Sequence, residues 1–174
     1  RPAPGDDTRD RVVVALAESH ALHGASGTEP ARDTERALRI SADELYQLRD
    51  GVLERQELFH ACGGSHAVGL FDQRRRCVAY AEDVGRHNAL DKLIGALARI
   101  GADPAAGAIL LTSRVSVEMV QKSAVFGVPV IAAVSSPTAH AVRLAEDAGL
   151  TIAANVRDGG YDLFTHPDRI TDGE

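Results

Sequence analysis

The sequence has no tryptophan, one methionine and two cysteines in 174 residues, and aromatic side chains make up only 4% of it. A core built from such a chain is aliphatic, with Ala and Val filling space that rings would otherwise occupy. Cys62 and Cys77 form no C-x-x-C pair and match no zinc-ligand spacing. This excludes a disulfide framework and gives no reason to expect a metal bound directly by the protein. Positive charge is not in excess either: 19 Lys and Arg stand against 25 Asp and Glu, for a formal charge of -6 and a pI near 5.6. That balance argues against a broad nucleic-acid surface, so any anionic ligand has to be held locally. No apolar run approaches the roughly 18 to 20 residues of a membrane helix. The opening RPAPGDDTRD is polar where a secretory signal would be apolar, and a cytoplasmic location without membrane contact is expected.

What is present is 44% hydrophobic and 25% charged, in a length that suits one domain. The expected organisation is a flexible segment at 1–10, a single domain at 11–170 and a tail at 171–174. RVVVALA (11–17) reads as a short strand, and the Gly-, Ser- and Thr-rich stretch after it as a loop. Over 40–59, Leu45, Leu48, Val52, Leu53 and Leu58 recur at helical spacing, and Ser41 with Glu44 makes a capping box, which predicts one helix. HAVGLFD and RCVAYAED, joined by QRRR, read as a hairpin. RHNALDKLIGALARIG (86–101) has one apolar face and a glycine stop.

Strand and helix then alternate: AAGAILLTS, SVEMVQKSAVFG, VPVIAAVSS, PTAHAVRLAEDAG and LTIAANV, with YDLFTH as a last short strand. Two strand–helix–strand units with near-continuous apolar strands predict a parallel sheet covered on both faces, an α/β fold.

In such a sheet, ligands sit beyond the carboxyl ends of the strands, where the next helices point their N-termini. Three junctions there are polar: AEDVGRHN, LLTSRVS and AVSSPTAH. The first N–H groups of a helix lack internal partners and the macrodipole is positive at that end, so acids are favoured and cations are not. Arg86 and Arg114 nevertheless stand at two of these helix starts. Together they suggest a phosphate or carboxylate site, with Asp83, Asn88 and Ser113 beside them. For Arg86, an ion pair with Glu82 or Asp83 is the competing explanation. Ser135 or Ser136 suits the N-cap of the third helix and Pro137 its first position, leaving Thr138 free to donate; ordinary capping explains the same residues. His87 and Asp91 are four apart, so Asp91 can fix the tautomer of a histidine that exchanges protons or touches a ligand. In FHACGGSHAVGLF, Gly63 and Gly64 open a tight turn, with Cys62 before it and His66 after it. A thiol there suits a nucleophile or persulfide carrier, set against the commoner fate of a small buried side chain.

With EDVGRHNALDK, SRVSVEMVQK, GVPVIAAVSSPT and ACGGSHAVGLFD in order, the chain resembles the FdhD/NarQ family, the accessory sulfurtransferases of formate dehydrogenase, over about residues 12 to 170. The resemblance implies a three-layer α/β/α sandwich with a mixed, largely parallel sheet, similar to cytidine deaminases but without their zinc signature, and usually a homodimer. It implies that sulfur passes from a cysteine desulfurase to the molybdenum of a bis-molybdopterin guanine dinucleotide cofactor needed by formate dehydrogenase. GDP-like nucleotides would occupy the site of that cofactor's guanine ends. Gly63, Gly64, Asp83, Arg86, Asn88, Asp91, Ser113, Arg114, Ser135, Ser136 and Thr138 are the residues expected to hold it, with Cys62, His66 and His87 as the chemical groups.

Two departures from the family pattern stand out. Where members carry a C-G-x-C-G loop, this chain reads HGASG, with His23 and Ser26 in place of the two sulfur-carrying cysteines, so relay by that pair is impossible here. Where members have a threonine before Gly-Gly, this chain has Cys62. The family's N-terminal region also has no counterpart, as in a fragment, a processed form or a short paralogue. Three functions follow as alternatives: sulfur transfer through Cys62, cofactor binding without chemistry, or a repurposed enzyme with Cys62 as nucleophile and His66 or His87 as base.

Overall fold

A computed structural model describes residues 38–171 of the chain; the strand expected at 11–17, the HGASG loop with His23 and Ser26, the segment 1–10 and residues 172–174 lie outside the described residues. The elements are β1 (Ile40–Ser41), α1 (Ala42–Leu53), α2 (Glu57–Cys62), β2 (His66–Asp72), β3 (Cys77–Asp83), α3 (Arg86–Ile100), β4 (Gly107–Leu111), α4 (Val117–Phe126), β5 (Val130–Ala133), α5 (Ala139–Asp147), β6 (Thr151–Arg157), β7 (Gly160–Thr165) and β8 (Ile170–Thr171).

The main sheet has the order β3-β2-β4-β5-β6-β7. β4, β5 and β6 pair in parallel, β2 runs antiparallel to both β3 and β4, and β7 runs antiparallel to β6. The sheet is therefore mixed, with β3, β4, β5 and β6 all pointing the same way. One face packs on α3, α4 and α5, through Leu90, Leu93, Met119, Val120, Ala141 and Ala145. The other packs on α1, through Leu45, Leu48 and Val52. This is the expected three-layer α/β/α sandwich. On the α1 side the sheet offers Ala67, Ala108, Ala132 and Ala153, small side chains that let a helix lie close. At the start of β4 the neighbouring strand leaves no room for a side chain, since a Cβ on Gly107 would fall 2.7 Å from the Phe71 carbonyl oxygen of β2.

Local chemistry sets several boundaries as expected. The Ser41 hydroxyl accepts from Glu44 N (3.3 Å) and Glu44 accepts from Ser41 N (2.9 Å), completing the capping box of α1. α3 spans 86–100 and ends at Gly101 in the left-handed conformation.

The single helix expected over 40–59 is two helices. α1 stops at Leu53, Gln56 takes a non-helical ψ of 63° and turns inward to be almost fully buried, and α2 restarts at Glu57. A distant carboxylate, that of Glu82, takes the Leu58 and Phe59 N–H groups that a continuous helix would have bonded to its own carbonyls.

The third junction is also corrected. The N-cap of α5 is Thr138, whose Oγ1 accepts from Ala141 N at 3.2 Å, so neither Ser135 nor Ser136 caps and Thr138 is not free. The cause is a bridge between loops: Val115 N donates to Ser136 O (3.3 Å) and Thr138 N to Val115 O (3.0 Å), holding 136–138 extended until the helix begins.

Candidate functional site

Because β3, β4, β5 and β6 point the same way, their carboxyl ends share one edge of the sheet, and the amino end of β2 joins them. α3, α4 and α5 lie side by side on one face, α4 touching both neighbours. Their N-termini all open at this edge. Their dipoles therefore add there rather than cancel. The three polar junctions of the sequence are the three turns of this edge.

Neighbouring residues Glu82 and Asp83 leave the end of β3 on opposite faces, as strand geometry requires. Glu82, 2% exposed, accepts from Leu58 N (2.8 Å), Phe59 N (3.2 Å) and the Ser65 hydroxyl (2.9 Å). It caps α2 from across the fold. Through α2 it also fixes the turn that carries Cys62, Gly63 and Gly64. Asp83 faces α3, where it accepts from Gly85 N (2.8 Å) and Asn88 Nδ2 (3.3 Å) and pairs with Lys92 Nζ (2.6 Å). Burial pushes its carboxyl up, but the Lys92, Gly85 and Asn88 hydrogen bonds outweigh that and hold it below the usual range. Asp83 and Asn88 are thus engaged in setting the start of α3, with Lys92 as a partner that local sequence gave no sign of.

Arg86 is the first residue of α3, which has no acid in its first turn and no side-chain cap. Among the described residues it has no ion pair. Glu82 and Asp83, its possible partners, are taken, and its Nε is buried without a hydrogen bond. His87 follows it. Asp91 does not orient His87 but pairs with Lys122 of α4 at 2.7 Å, tying α3 to α4 away from the turns. The positive end of α3 instead acts on Glu118 in α4. The Ser116 hydroxyl (2.7 Å) is the main reason that carboxyl sits low, and His87 and Arg86 add to the effect. Ser116 thus points at Glu118 and leaves the α4 N-terminus uncapped by its side chain.

Arg114 is exposed and unpaired among the described residues; Ser113 is buried, its hydroxyl donating to Arg114 O at 3.2 Å. Ser135 is half-buried. Ser136 donates to Asn155 Oδ1 at 2.7 Å, a partner sequence reasoning missed because it lies on β6.

On the β2 side, Cys62 is exposed at the end of α2, and Gly63 follows in the left-handed conformation (φ 68°) with open space where a Cβ would be. His66 pairs in register with Asp83. Burial first, and then the Arg86 charge, lower its pKa, so the ring is neutral at pH 7. Cys77 packs against the α1 side of the core, with burial raising its thiol. The edge therefore combines two unpaired guanidinium groups, two helix starts without side-chain caps, a neutral imidazole and an open thiol. Among the described residues no cluster of His, Cys, Asp and Glu could hold a metal ion, and no helix is long and apolar enough to cross a membrane. The small cavity lined by Arg39, Glu44, Asp72 and Arg75 belongs to the opposite edge of the sheet, where Arg75 pairs with Glu44.

A three-layer α/β/α sandwich with three helix N-termini along one sheet edge is the class this architecture defines, and comparison with known proteins narrows it. The profile of the FdhD/NarQ family matches residues 9–171, and the chain belongs to that family. Sulfur carrier protein FdhD of Bordetella bronchiseptica is 52% identical over 160 residues, covering 92% of this chain and 51% of that protein. The protein of the same name from Brucella melitensis is 55% identical over 109 residues, 63% of this chain and 40% of its own length. The chain thus spans about half the length of such relatives. Among solved structures, a Desulfotalea psychrophila protein described as a formate dehydrogenase accessory protein superposes with a TM-score of 0.72 at 31% identity, over 77% of this chain and 60% of its own. NE0047 in complex with 2,6-diaminopurine superposes with a TM-score of 0.50 at 15% identity, over 68% and 77%, a likeness of fold alone.

The coupling of His66 to Arg86 has a measurable sign. Near and below the unperturbed histidine value of about 6.5 the unfolded chain takes up a proton that the folded chain resists. The stability due to this ring is complete above that value and is lost as the pH falls through the folded pKa. In Arg86→Gln the His66 titration, followed by NMR of the ring protons, moves up but stays below the unperturbed value, because burial remains. An unchanged titration would show that the guanidinium does not reach the imidazole.

Proposed function

We propose that this chain acts as a formate dehydrogenase accessory protein of FdhD type, binding the guanine nucleotide ends of a molybdopterin guanine dinucleotide cofactor at the junction edge and supporting sulfuration of that cofactor. The observation that carries this reading is Arg86, placed at the positive end of α3 with no acid in that helix's first turn, no ion pair among the described residues and a buried Nε without a partner, although its charge is felt by Glu118 of α4. A cation so placed is unfavourable until an anion arrives. Arg114 gives the same edge a second unpaired charge. The names of the relatives, sulfur carrier and formate dehydrogenase accessory protein, support the assignment of that anion to the cofactor. Arg86, Arg114 and the uncapped N–H groups of α3 and α4 would receive the phosphates, with the molybdenum cofactor as cargo rather than a resident group.

With His23 and Ser26 in place of the family's cysteines, sulfur loading falls to Cys62. Its thiolate attacks the outer sulfur of a persulfide on a cysteine desulfurase, forming a Cys62 Sγ–S bond as the desulfurase thiolate leaves and takes up the proton. One sulfane sulfur changes thiols and nothing is oxidised overall. His66, neutral and four residues further on, is the candidate acceptor for the Cys62 proton. The replaced cysteine pair favours one second reading, a module that binds and hands over the cofactor without carrying sulfur.

Calorimetric titration with GDP tests the pocket. We expect binding by the parent, weakened tenfold or more in Arg86→Ala and in Arg114→Ala; a parent that does not bind would end the cofactor reading. Mass spectrometry after incubation with a desulfurase and cysteine tests the sulfur step. Cys62 should gain the mass of one sulfur, and Cys62→Ala should gain none. A reduced, accessible Cys62 that stays unloaded would leave the binding module as the function.

A further inference from the structure

Asn155 carries no signal in the sequence, yet it joins the third junction to the edge strand. It lies in β6 at an irregularity of the β6–β7 pairing, in the left-handed conformation (φ 55°). Its side-chain nitrogen donates to Asp162 Oδ2 at 2.7 Å, and its oxygen lies 2.7 Å from the Ser136 hydroxyl. The direction of this chain is forced from one end. A carboxylate only accepts, so the amide group facing Asp162 is the NH2. The amide oxygen then faces Ser136, and the single hydroxyl proton of Ser136 is spent on it. Ser136 Oγ is left with lone pairs only for anything that approaches.

Its neighbour has the opposite character. Val115 bridges Pro137 in parallel, so one step earlier the register sets Arg114 beside Ser136, and both are exposed. Arg114 presents donors only. A bare anion would satisfy Arg114 and be repelled by the Ser136 lone pairs, whereas a phosphate ester with a nearby hydroxyl would satisfy both. On a nucleoside diphosphate the sugar hydroxyls lie closer to the phosphates than the base edge does.

We propose that the Ser136–Asn155–Asp162 chain makes the third junction a reader of hydrogen-bond donors, with Ser136 Oγ accepting from a ribose hydroxyl of the nucleotide whose phosphates meet Arg114. Ser136 is the specificity-determining contact, and Asn155 and Asp162 are positioning residues that fix its polarity. This rests on the nucleotide reading above.

The test compares GDP, 2′,3′-dideoxy-GDP, IDP and inorganic pyrophosphate by calorimetry on the parent, Ser136→Ala and Asp162→Asn, with thermal melts to confirm folding. The parent should prefer GDP to the dideoxy analogue by about tenfold (~1.4 kcal/mol) and should not distinguish GDP from IDP to that extent. Ser136→Ala should lose the preference and bind pyrophosphate no more weakly than the parent. In Asp162→Asn the new amide can accept or donate, Asn155 is free to turn, and Ser136 can donate. The preference should then shrink while pyrophosphate binds more tightly. Equal binding of GDP and dideoxy-GDP by the parent, a preference that survives in Ser136→Ala, or a loss seen with IDP instead overturns the assignment. If GDP binding depends on Arg86 and Arg114 but the sugar preference is absent, this inference fails alone; if GDP does not bind at all, both readings fail together.

Discussion

Two adjacent carboxylates at the end of β3 tie the three layers together at the edge where the three helix N-termini open. Glu82 reaches to the α1 side and caps α2, while Asp83 reaches to the other side and sets the first turn of α3. Each is fully engaged, Glu82 by three donors and Asp83 by an ammonium, an amide and a backbone N–H. Acids satisfied in this way cannot also neutralise Arg86. That Arg86 has no ion pair among the described residues is therefore a consequence of how the edge is built, and the carboxylate that feels its charge is Glu118 on the neighbouring helix.

The helix layer adds to the positive potential of this edge. All crossovers lie on one face, so α3, α4 and α5 present three N-termini side by side. Only α5 has a hydrogen bond to the side chain of its N-cap residue, Thr138, while in α4 the Glu118 carboxylate takes its own backbone N–H. At the other two, Gly85 has no side chain to offer and Ser116 turns to Glu118. Uncapped N–H groups and unpaired arginines are each tolerable at a surface. Their coincidence along one edge is what points to a ligand with more than one anionic group.

Much of this was legible in the sequence wherever the determinant was local. β2 spans 66–72 and α3 spans 86–100 as read from alternation, amphipathic spacing and the Gly101 stop. The capping box of Ser41 and Glu44 is likewise a contact of residues three apart. What could not be read depends on partners far along the chain. Glu82 breaks the 40–59 helix from 24 residues away, Lys122 takes Asp91 from His87 across 31, and Val115 delays the start of α5 through a bridge to Pro137. The same holds for function. The residue types of the edge were visible, whereas the engagement of Asp83 and the polarity forced on Ser136 appear only when β3, β6 and β7 are placed. His23, Ser26 and Cys62 mark where this chain parts from the pattern that the family resemblance implies.

The central claim is that anions are held at the edge formed by the α3 and α4 N-termini and not elsewhere. Backbone amide NMR during addition of inorganic pyrophosphate tests it most directly. The account predicts saturable shifts confined to the amides of Arg86, His87, Asn88 and the 114–118 turn. Shifts centred instead on Arg39 and Arg75 at the opposite edge, or none at all, would contradict it.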